Sequence, residues 1–136
     1  MGVEKEIKIL VVEDTEEHAD IIKHVLTKGQ LKTRVFIAKD GEEALEFLYN
    51  RDNPMPDLIL LDLRLPLIDG LEVLEQIKSE EKTKDIPVIV LTASKRDDDI
   101  VEAYKKGAKS YILKSAFIVH ERSKMDGLLD AIFSLL

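Results

Sequence analysis

The sequence predicts an α/β domain with a doubly wound (βα)5 arrangement, and three observations support this prediction. Five short apolar runs recur along the chain, and they are rich in β-branched residues. Segments with a helical spacing of apolar residues lie between these runs. The alternation continues from one end of the chain to the other, without an internal repeat. This order of elements predicts a parallel sheet with right-handed helical crossovers.

The five apolar runs are the predicted strands. Three of them are almost entirely apolar, which is typical of parallel strands that are covered by helices on both faces. The runs are Ile7–Val12, Thr33–Ala38, Leu58–Leu61, Val88–Leu91 and Tyr111–Leu113.

Five apolar stripes predict the helices between and after the strands. Gly29 and Gly107 follow the first and fourth stripes, where C-cap glycines are expected. The stripes consist of Ala19, Ile22, Val25 and Leu26; Ala44, Leu45 and Leu48; Leu71, Leu74 and Ile77; Ile100, Val101 and Tyr104; and Leu128, Leu129, Ile132, Phe133 and Leu136.

Two helices begin with recognisable cap signals. Asp40 with Glu43 resembles a capping box at the start of the second helix. Ser94 with Asp97 predicts a cap at the start of the fourth helix.

Two connections are longer than usual. The segment 50–56 contains Asn53-Pro54 and Pro56, so we predict irregular structure there. The segment 115–124 is apolar for a solvated loop, and we expect an extra turn that packs on the domain or on a partner.

Composition restricts the classes of function. The chain has 136 residues, a net charge of −7 and no cysteine. We expect one domain over residues 1–136, with a core over about 6–136. The acidic charge disfavours nucleic-acid binding, and the absence of cysteine excludes thiolate metal sites. The apolar runs are too short to span a bilayer and the N-terminus does not resemble a signal peptide, so we expect a cytoplasmic protein without a membrane partner.

Polar residues directly follow or end four of the predicted strands. Glu13 and Asp14 follow the first strand, Asp62 the third, Thr92 the fourth and Lys114 the fifth. With a strand order of 2-1-3-4-5, the order reverses between the first and third strands, where α/β sheets bind ligands. We therefore expect the three carboxylates to share one crevice with a hydroxyl and an ammonium.

Crowded carboxylates require a compensating charge. Two of them about 4 Å apart repel by roughly 4 kcal/mol at an effective dielectric near 20, so one takes a proton or a cation binds between them. An all-oxygen site suits Mg²⁺, which commonly also binds phosphate. Asp62 is then a candidate nucleophile for an aspartyl phosphate, and Thr92 a candidate hydrogen-bond donor to it.

Each of these residues also has an ordinary explanation. Glu13 and Asp14 suit the start of a helix, where acidic residues favour the dipole. Asp62 is harder to explain, because it ends a buried apolar run. The three histidines are scattered along the chain and are interpreted as surface or satisfied residues rather than ligands; they are His18, His24 and His120.

With these residues in place, the chain closely resembles the receiver domains of two-component response regulators, of the stand-alone type. The resemblance covers nearly the whole chain and implies a flavodoxin-like five-stranded parallel sheet with the order 2-1-3-4-5 and no output domain. The motifs that carry it are Val11–Asp14, Asp62–Gly70, Leu91–Ser94 and Gly107–Lys114.

The resemblance implies a role for each residue of the metal site. Asp62 would accept the phosphoryl group, and Asp14 and Asp62 would bind Mg²⁺ or Mn²⁺. Glu13 would act through water, and the backbone carbonyl of Arg64 would supply another ligand.

The resemblance also implies a switch. Thr92 and Ala93 would contact the phosphoryl group, Lys114 would form an ion pair with it, and the ring of Tyr111 would turn inward. This rearranges the face of helix 4, strand 5 and helix 5. The implied partners are a sensor histidine kinase or phosphotransfer protein and a downstream target or phosphorelay, and homodimerisation stays open. The chain would assist its own phosphorylation and dephosphorylation without being an enzyme for an external substrate.

Two residues depart from the family pattern. Ser115 stands where the family usually has a proline after a cis bond, and a trans bond there would re-aim Lys114. Arg64 lies two residues after Asp62, where its side chain can overhang the site and alter the lifetime of the phosphoryl group.

Three other functions compete with that of a phosphorylated receiver. A phosphatase that forms an aspartyl phosphate would need a second acid where Arg64 stands. A nucleotide- or flavin-binding domain would need a phosphate-binding loop in place of the acidic segment 13–17. The strongest rival is an interaction module, a pseudo-receiver, that acts without phosphorylation.

Overall fold

Strands and helices alternate in the computed structural model, which describes residues 6–28 and 32–115. The elements are β1 (Ile7–Val12), α1 (Glu16–Thr27), β2 (Thr33–Ala38), α2 (Gly41–Tyr49), β3 (Leu58–Leu61), α3 (Gly70–Ser79), β4 (Val88–Thr92), α4 (Asp97–Lys105) and β5 (Ser110–Leu113). Three predictions lie outside the described residues: the C-cap at Gly29, the apolar segment after Ser115 and the helix predicted over 128–136.

All five strands are parallel and form one sheet with the order β2-β1-β3-β4-β5. The predicted α/β fold and strand order are therefore confirmed. β1 pairs with β2 on one side and with β3 on the other, so Val12 lies opposite both Ala38 and Leu61. The direction of winding reverses at β1, and a crevice opens there at the carboxyl ends of the strands.

The sheet separates two hydrophobic clusters. Alternate residues of a strand point to opposite faces, so Leu10 and Val12 join one cluster while Ile9 and Val11 join the other. The first cluster includes buried residues of α2, α3 and α4, and the second includes Ile22 and Leu26 of α1. Burial on both faces explains why the central strand β3 is apolar throughout and why β1 and β4 are largely apolar.

The cap of α2 agrees with the prediction, whereas the cap of α4 does not. Asp40 Oδ1 accepts a hydrogen bond from Glu43 N at 2.8 Å. The N-cap of α4 is Arg96, without a side-chain cap hydrogen bond, so the prediction of Ser94 as the cap is wrong. The Ser94 hydroxyl instead donates to Asp99 Oδ2 at 2.5 Å, a strong hydrogen bond to a charged acceptor, and its oxygen accepts from Arg96 N at 3.3 Å, before the helix begins.

The remaining predictions on turns agree with the structure. Gly107 has a φ of 107° just after α4, the left-handed conformation expected of a C-cap glycine. The segment 50–56 is irregular, and the Asn50 side chain accepts a hydrogen bond from Asp52 N within it.

Gly70 fixes the approach of α3 to the end of β3. Its N–H donates to Leu63 O at 3.1 Å. A Cβ at this position would clash with the carbonyl oxygen of Asp62 and lie 2.5 Å from Leu63 Cα. The same loop contains Leu67, whose φ of 69° is the one positive value for a non-glycine residue among those described. The loop is therefore tightly bent directly beside Asp62.

We expect Gly70→Ala to destabilise the protein by about 1–3 kcal/mol, because the added methyl meets backbone that cannot move aside cheaply. Urea unfolding would measure the change. Glu72→Ala, on the exposed side of the same helix, is the control and is expected to change the free energy of unfolding by less than about 0.5 kcal/mol. Equal stabilities of Gly70→Ala and the wild type would contradict the close packing of α3 on this loop.

Candidate functional site

The polar residues predicted at the strand ends lie at one edge of the sheet. Glu13 and Asp14 follow β1, Asp62 follows β3, Thr92 ends β4 and Lys114 follows β5. The carboxyl ends of parallel strands meet at one edge, so residues far apart in the sequence gather there. This is the arrangement expected from the sequence, and the chemical roles of these residues stay predictions.

Three carboxylates form an acidic cluster in the crevice between β1 and β3. One oxygen from each of Glu13, Asp14 and Asp62 lies within 4.8 Å of the others. Glu13 and Asp62 are 2% and 3% exposed, whereas Asp14 is exposed to solvent. A cleft of about 330 Å³ opens beside the cluster, between α1 and β2. The cluster thus combines two buried acids with one acid that solvent reaches.

The ammonium of Lys114 lies between the two buried acids. Its Nζ is 2.7 Å from Asp62 Oδ2 and 2.6 Å from Glu13 Oε1. Burial lowers the pKa of Lys114, but hydrogen bonds to Asp62 and Glu13 outweigh burial and raise the pKa above its usual value. Burial raises the pKa of Glu13 despite the opposing effect of Lys114. Lys114 therefore stays charged and partly compensates the cluster.

Lys114 reaches the acids although serine follows it. Among the described residues no peptide bond is cis, and this includes the bond between Lys114 and Ser115. The side chain nevertheless points into the crevice, so a trans bond does not turn it away from Asp62.

Arg64 connects the site to α4. Its backbone N–H donates to Asp62 Oδ1 at 3.1 Å, and its guanidinium lies 3.2 Å from Asp99 Oδ2. Asp99 also accepts from the Ser94 hydroxyl, as described above. The exposed Arg64 side chain is therefore anchored on the first turn of α4.

Thr92 and Tyr111 both contact the loop after β4. Thr92 is fully buried, and its Oγ1 accepts from Ser94 N at 3.4 Å. The Tyr111 hydroxyl donates to Ser94 O at 2.9 Å, and its ring packs against the first hydrophobic cluster. The Tyr111 ring is therefore half-buried. Ala93, between Thr92 and Ser94, is exposed.

His18 also contacts the site, which the sequence analysis did not anticipate. Its Nδ1 lies 3.2 Å from Lys114 Nζ and 4.0 Å from Glu13 Oε2. His18 lies in the first turn of α1, four residues after Asp14, which precedes the helix. This short separation could have indicated that His18 lies close to the acids. His24 is exposed on the same helix, and His120 lies outside the described residues.

The family model of the response regulator receiver domain matches residues 9–120. The chain belongs to this family. It is thus the receiver domain of a response regulator in two-component signalling. In the part of this receiver that the structure describes, no helix has the length and apolar character needed to cross a membrane.

Relatives resemble this receiver over most of its length. The probable methanogenesis regulatory protein FilR2 of Methanothrix harundinacea is 42% identical over 109 residues, or 78% of this chain and 70% of FilR2. The response regulator Rcp1 of Synechocystis sp. is 40% identical over 111 residues, or 79% of this chain and 76% of Rcp1.

Solved structures share the fold of the receiver. The Mn²⁺-bound form of Rcp1 has a TM-score of 0.80 at 35% identity and covers 94% of this chain and 92% of that chain. The phosphorylated cyanobacterial phytochrome response regulator RcpA has a TM-score of 0.82 at 37% identity and covers 94% of this chain and 91% of that chain.

We expect Asp14→Asn to stabilise the metal-free receiver by about 0.5–1 kcal/mol, because it removes one exposed member of a repelling cluster. With Mg²⁺ we expect the wild type to become the more stable of the two. Its free energy of unfolding should rise by about 2.7 kcal/mol at a hundredfold excess of Mg²⁺ over Kd, and that of the variant should rise by less because it lacks a ligand. Urea unfolding with and without Mg²⁺ measures both.

Asp52→Asn, in the irregular segment after α2, is the matched control and should behave as the wild type in both conditions. A variant that gains as much from Mg²⁺ as the wild type would contradict a metal site at Asp14.

Proposed function

We propose that this receiver is a phosphoacceptor response regulator. Asp62 takes a phosphoryl group from the phosphohistidine of a sensor kinase or phosphotransfer protein, with Mg²⁺ bound at the acidic cluster. The observation that carries the proposal is the environment of Asp62: a buried carboxylate that accepts from Lys114 and from the backbone of Arg64, beside two further acids.

The donors of the cluster suit a hard divalent cation. They are carboxylate oxygens, which Mg²⁺ and Mn²⁺ both accept. Glu13 Oε1 is a buried oxygen whose charged partner among the described residues is the Lys114 ammonium at 2.6 Å. Asp14 and Asp62 would hold the ion directly, Glu13 through water, and the Arg64 carbonyl would complete the set. Bound Mg²⁺ would neutralise charge on the transferring phosphoryl group. The Mn²⁺-bound structure of the relative Rcp1 supports such a site.

The side chains around Asp62 suit phosphoryl transfer. A carboxylate oxygen of Asp62 attacks phosphorus, the bond from phosphorus to the donor histidine nitrogen breaks, and its electron pair stays on that nitrogen. The ammonium of Lys114, already 2.7 Å from Asp62, then pairs with a phosphoryl oxygen. The phosphorylated structure of the relative RcpA supports this chemistry in the family.

The contacts of Ser94 provide a route from the site to the surface. The Thr92 hydroxyl now accepts a hydrogen bond from Ser94 N. On phosphorylation it would give up this contact and donate to a phosphoryl oxygen, which the N–H of Ala93 would also contact. The hydroxyl of Tyr111 is hydrogen-bonded to Ser94 O, so Tyr111 would move together with the Ser94 loop. The face that includes α4 and β5 would then bind a downstream protein, a phosphorelay partner or a second copy.

The receiver would carry the phosphoryl group rather than transform a substrate. It would catalyse only its own phosphorylation and dephosphorylation, so we do not class it as an enzyme. We place it in the cytoplasm, where a kinase domain has access to ATP.

The decisive test is the intact mass after incubation with acetyl phosphate, with and without Mg²⁺. We expect the wild type to gain one phosphate only when Mg²⁺ is present, and Asp62→Asn to gain none. Asp69→Asn, an exposed acid in the same loop, is the control and should load as the wild type does.

A folded wild type that gains no phosphate from acetyl phosphate or from a phosphorylated phosphotransfer protein would contradict the proposal. The pseudo-receiver interaction module would then be the better description.

We expect Arg64→Ala to shorten the lifetime of the phosphoryl group by about two- to fivefold, because an exposed charge that shields the group contributes up to about 1 kcal/mol. The decay of the phosphorylated mass after removal of the donor measures the lifetime. Arg96→Ala, which removes another exposed arginine at the start of α4, should leave the lifetime unchanged. Equal decay of Arg64→Ala and the wild type would refute this role.

A further inference from the structure

His18 is one of three side chains around the Lys114 ammonium. The other two are the carboxylates of Asp62 and Glu13, at 2.7 and 2.6 Å from Nζ. His18 reaches the ammonium from α1, at 3.2 Å through Nδ1, and so links residues that are 96 positions apart. Lys114 thus contacts elements on both sides of the crevice.

The imidazole of His18 differs from the two carboxylates because it has no part in the proposed cation site. Glu13 and Asp62 belong to the acidic cluster that would bind a cation, whereas His18 is not among the three side chains of that cluster. A bound cation withdraws negative charge from the carboxylates and weakens their attraction for the ammonium. The hydrogen bond to a neutral imidazole is less affected by this loss of charge.

We propose that His18 is a positioning residue for phosphoryl transfer to Asp62. Its Nδ1 accepts a hydrogen bond from Lys114 and holds the ammonium beside Asp62 when the acids are engaged by a cation. The proposal rests on the proposed function of this receiver, and it adds a residue of α1 to the site.

The chemistry of the two side chains is compatible with this role. A lysine ammonium is a donor only, so in the proposed hydrogen bond Nδ1 is the acceptor. The lysine stem has several freely rotating bonds, and each acceptor that holds its end reduces the number of accessible rotamers. Loss of the acceptor should therefore slow the transfer step, which needs the ammonium in place.

Two variants separate the hydrogen bond from the bulk of the ring. His18→Asn retains an acceptor near the position of Nδ1, whereas His18→Leu has a similar size and no acceptor. His24→Leu, on the exposed face of the same helix, controls for the loss of a histidine from α1. Each variant is loaded with acetyl phosphate at saturating Mg²⁺, and the maximal rate and the donor concentration at half-maximal rate are measured.

We expect His18→Leu to lower the maximal rate by about tenfold, the size typical of one hydrogen bond to a charged group, with the half-maximal donor concentration unchanged. His18→Asn should recover most of the rate, and His24→Leu should equal the wild type. Equal rates for His18→Leu and the wild type, or equal losses in His18→Leu and His18→Asn, would overturn the proposal.

A second readout does not depend on phosphorylation. The ¹⁵N NMR signal of Lys114 Nζ in the metal-free receiver, assigned with Lys114→Arg, should move in His18→Leu and stay near its original position in His18→Asn. An unmoved signal in His18→Leu would overturn the contact itself. A wild type that retains the contact but never loads would instead overturn the proposed function, and the positioning role with it.

Discussion

The buried ammonium of Lys114 between Asp62 and Glu13 is the interaction on which the rest of the site depends. Two carboxylates with little access to water are unfavourable without an opposite charge, and breaking such a pair is more costly than forming it is beneficial. The compensating charge comes from β5, which is separated from β3 by β4. Neighbouring strands lie roughly 4.8 Å apart, so the charge must reach across roughly 10 Å. The Lys114 side chain from one side and the Asp62 side chain from the other together span this distance and meet at 2.7 Å.

Under the proposed function, a cation and a phosphoryl group would both act on this arrangement of charges. Both would redistribute the charges that hold Lys114, and any change at Asp62 also reaches the surface through Arg64, whose backbone contacts Asp62 and whose guanidinium contacts Asp99. Asp99 lies in the first turn of α4 and Ser94 in the loop before it, and the Tyr111 hydroxyl is hydrogen-bonded to that loop. The two apolar faces of the sheet keep the strand ends in register while these polar contacts exchange. The geometry therefore combines a buried support with a polar network at the strand ends, and the proposed switch would act through that network.

The sequence predicts the elements best where local burial determines them. β1 and β3, which are largely buried, match the predicted runs residue by residue, because strands covered on both faces have clear apolar limits. The edge strand β2 also matches its predicted run, although most of its residues are only half-buried or exposed. The cap at Asp40 was also predictable, since its partner is three residues away. The prediction of Ser94 as a cap is wrong, because its hydroxyl is hydrogen-bonded to Asp99. The contacts of Arg64 with Asp99 and of His18 with Lys114 were not predicted from the sequence. These pairings depend on how the helices pack against the sheet, which spacing along the chain does not specify.

The central claim is that the phosphoryl group forms on the carboxylate that Lys114 holds. Borohydride reduces an aspartyl phosphate to homoserine, so reduction of the loaded protein followed by peptide sequencing in a mass spectrometer identifies the modified residue. The account predicts homoserine at position 62, in protein that was incubated with donor and Mg²⁺ and not in protein incubated without Mg²⁺. Homoserine at Asp14 or at another acid, with position 62 unmodified, would contradict it.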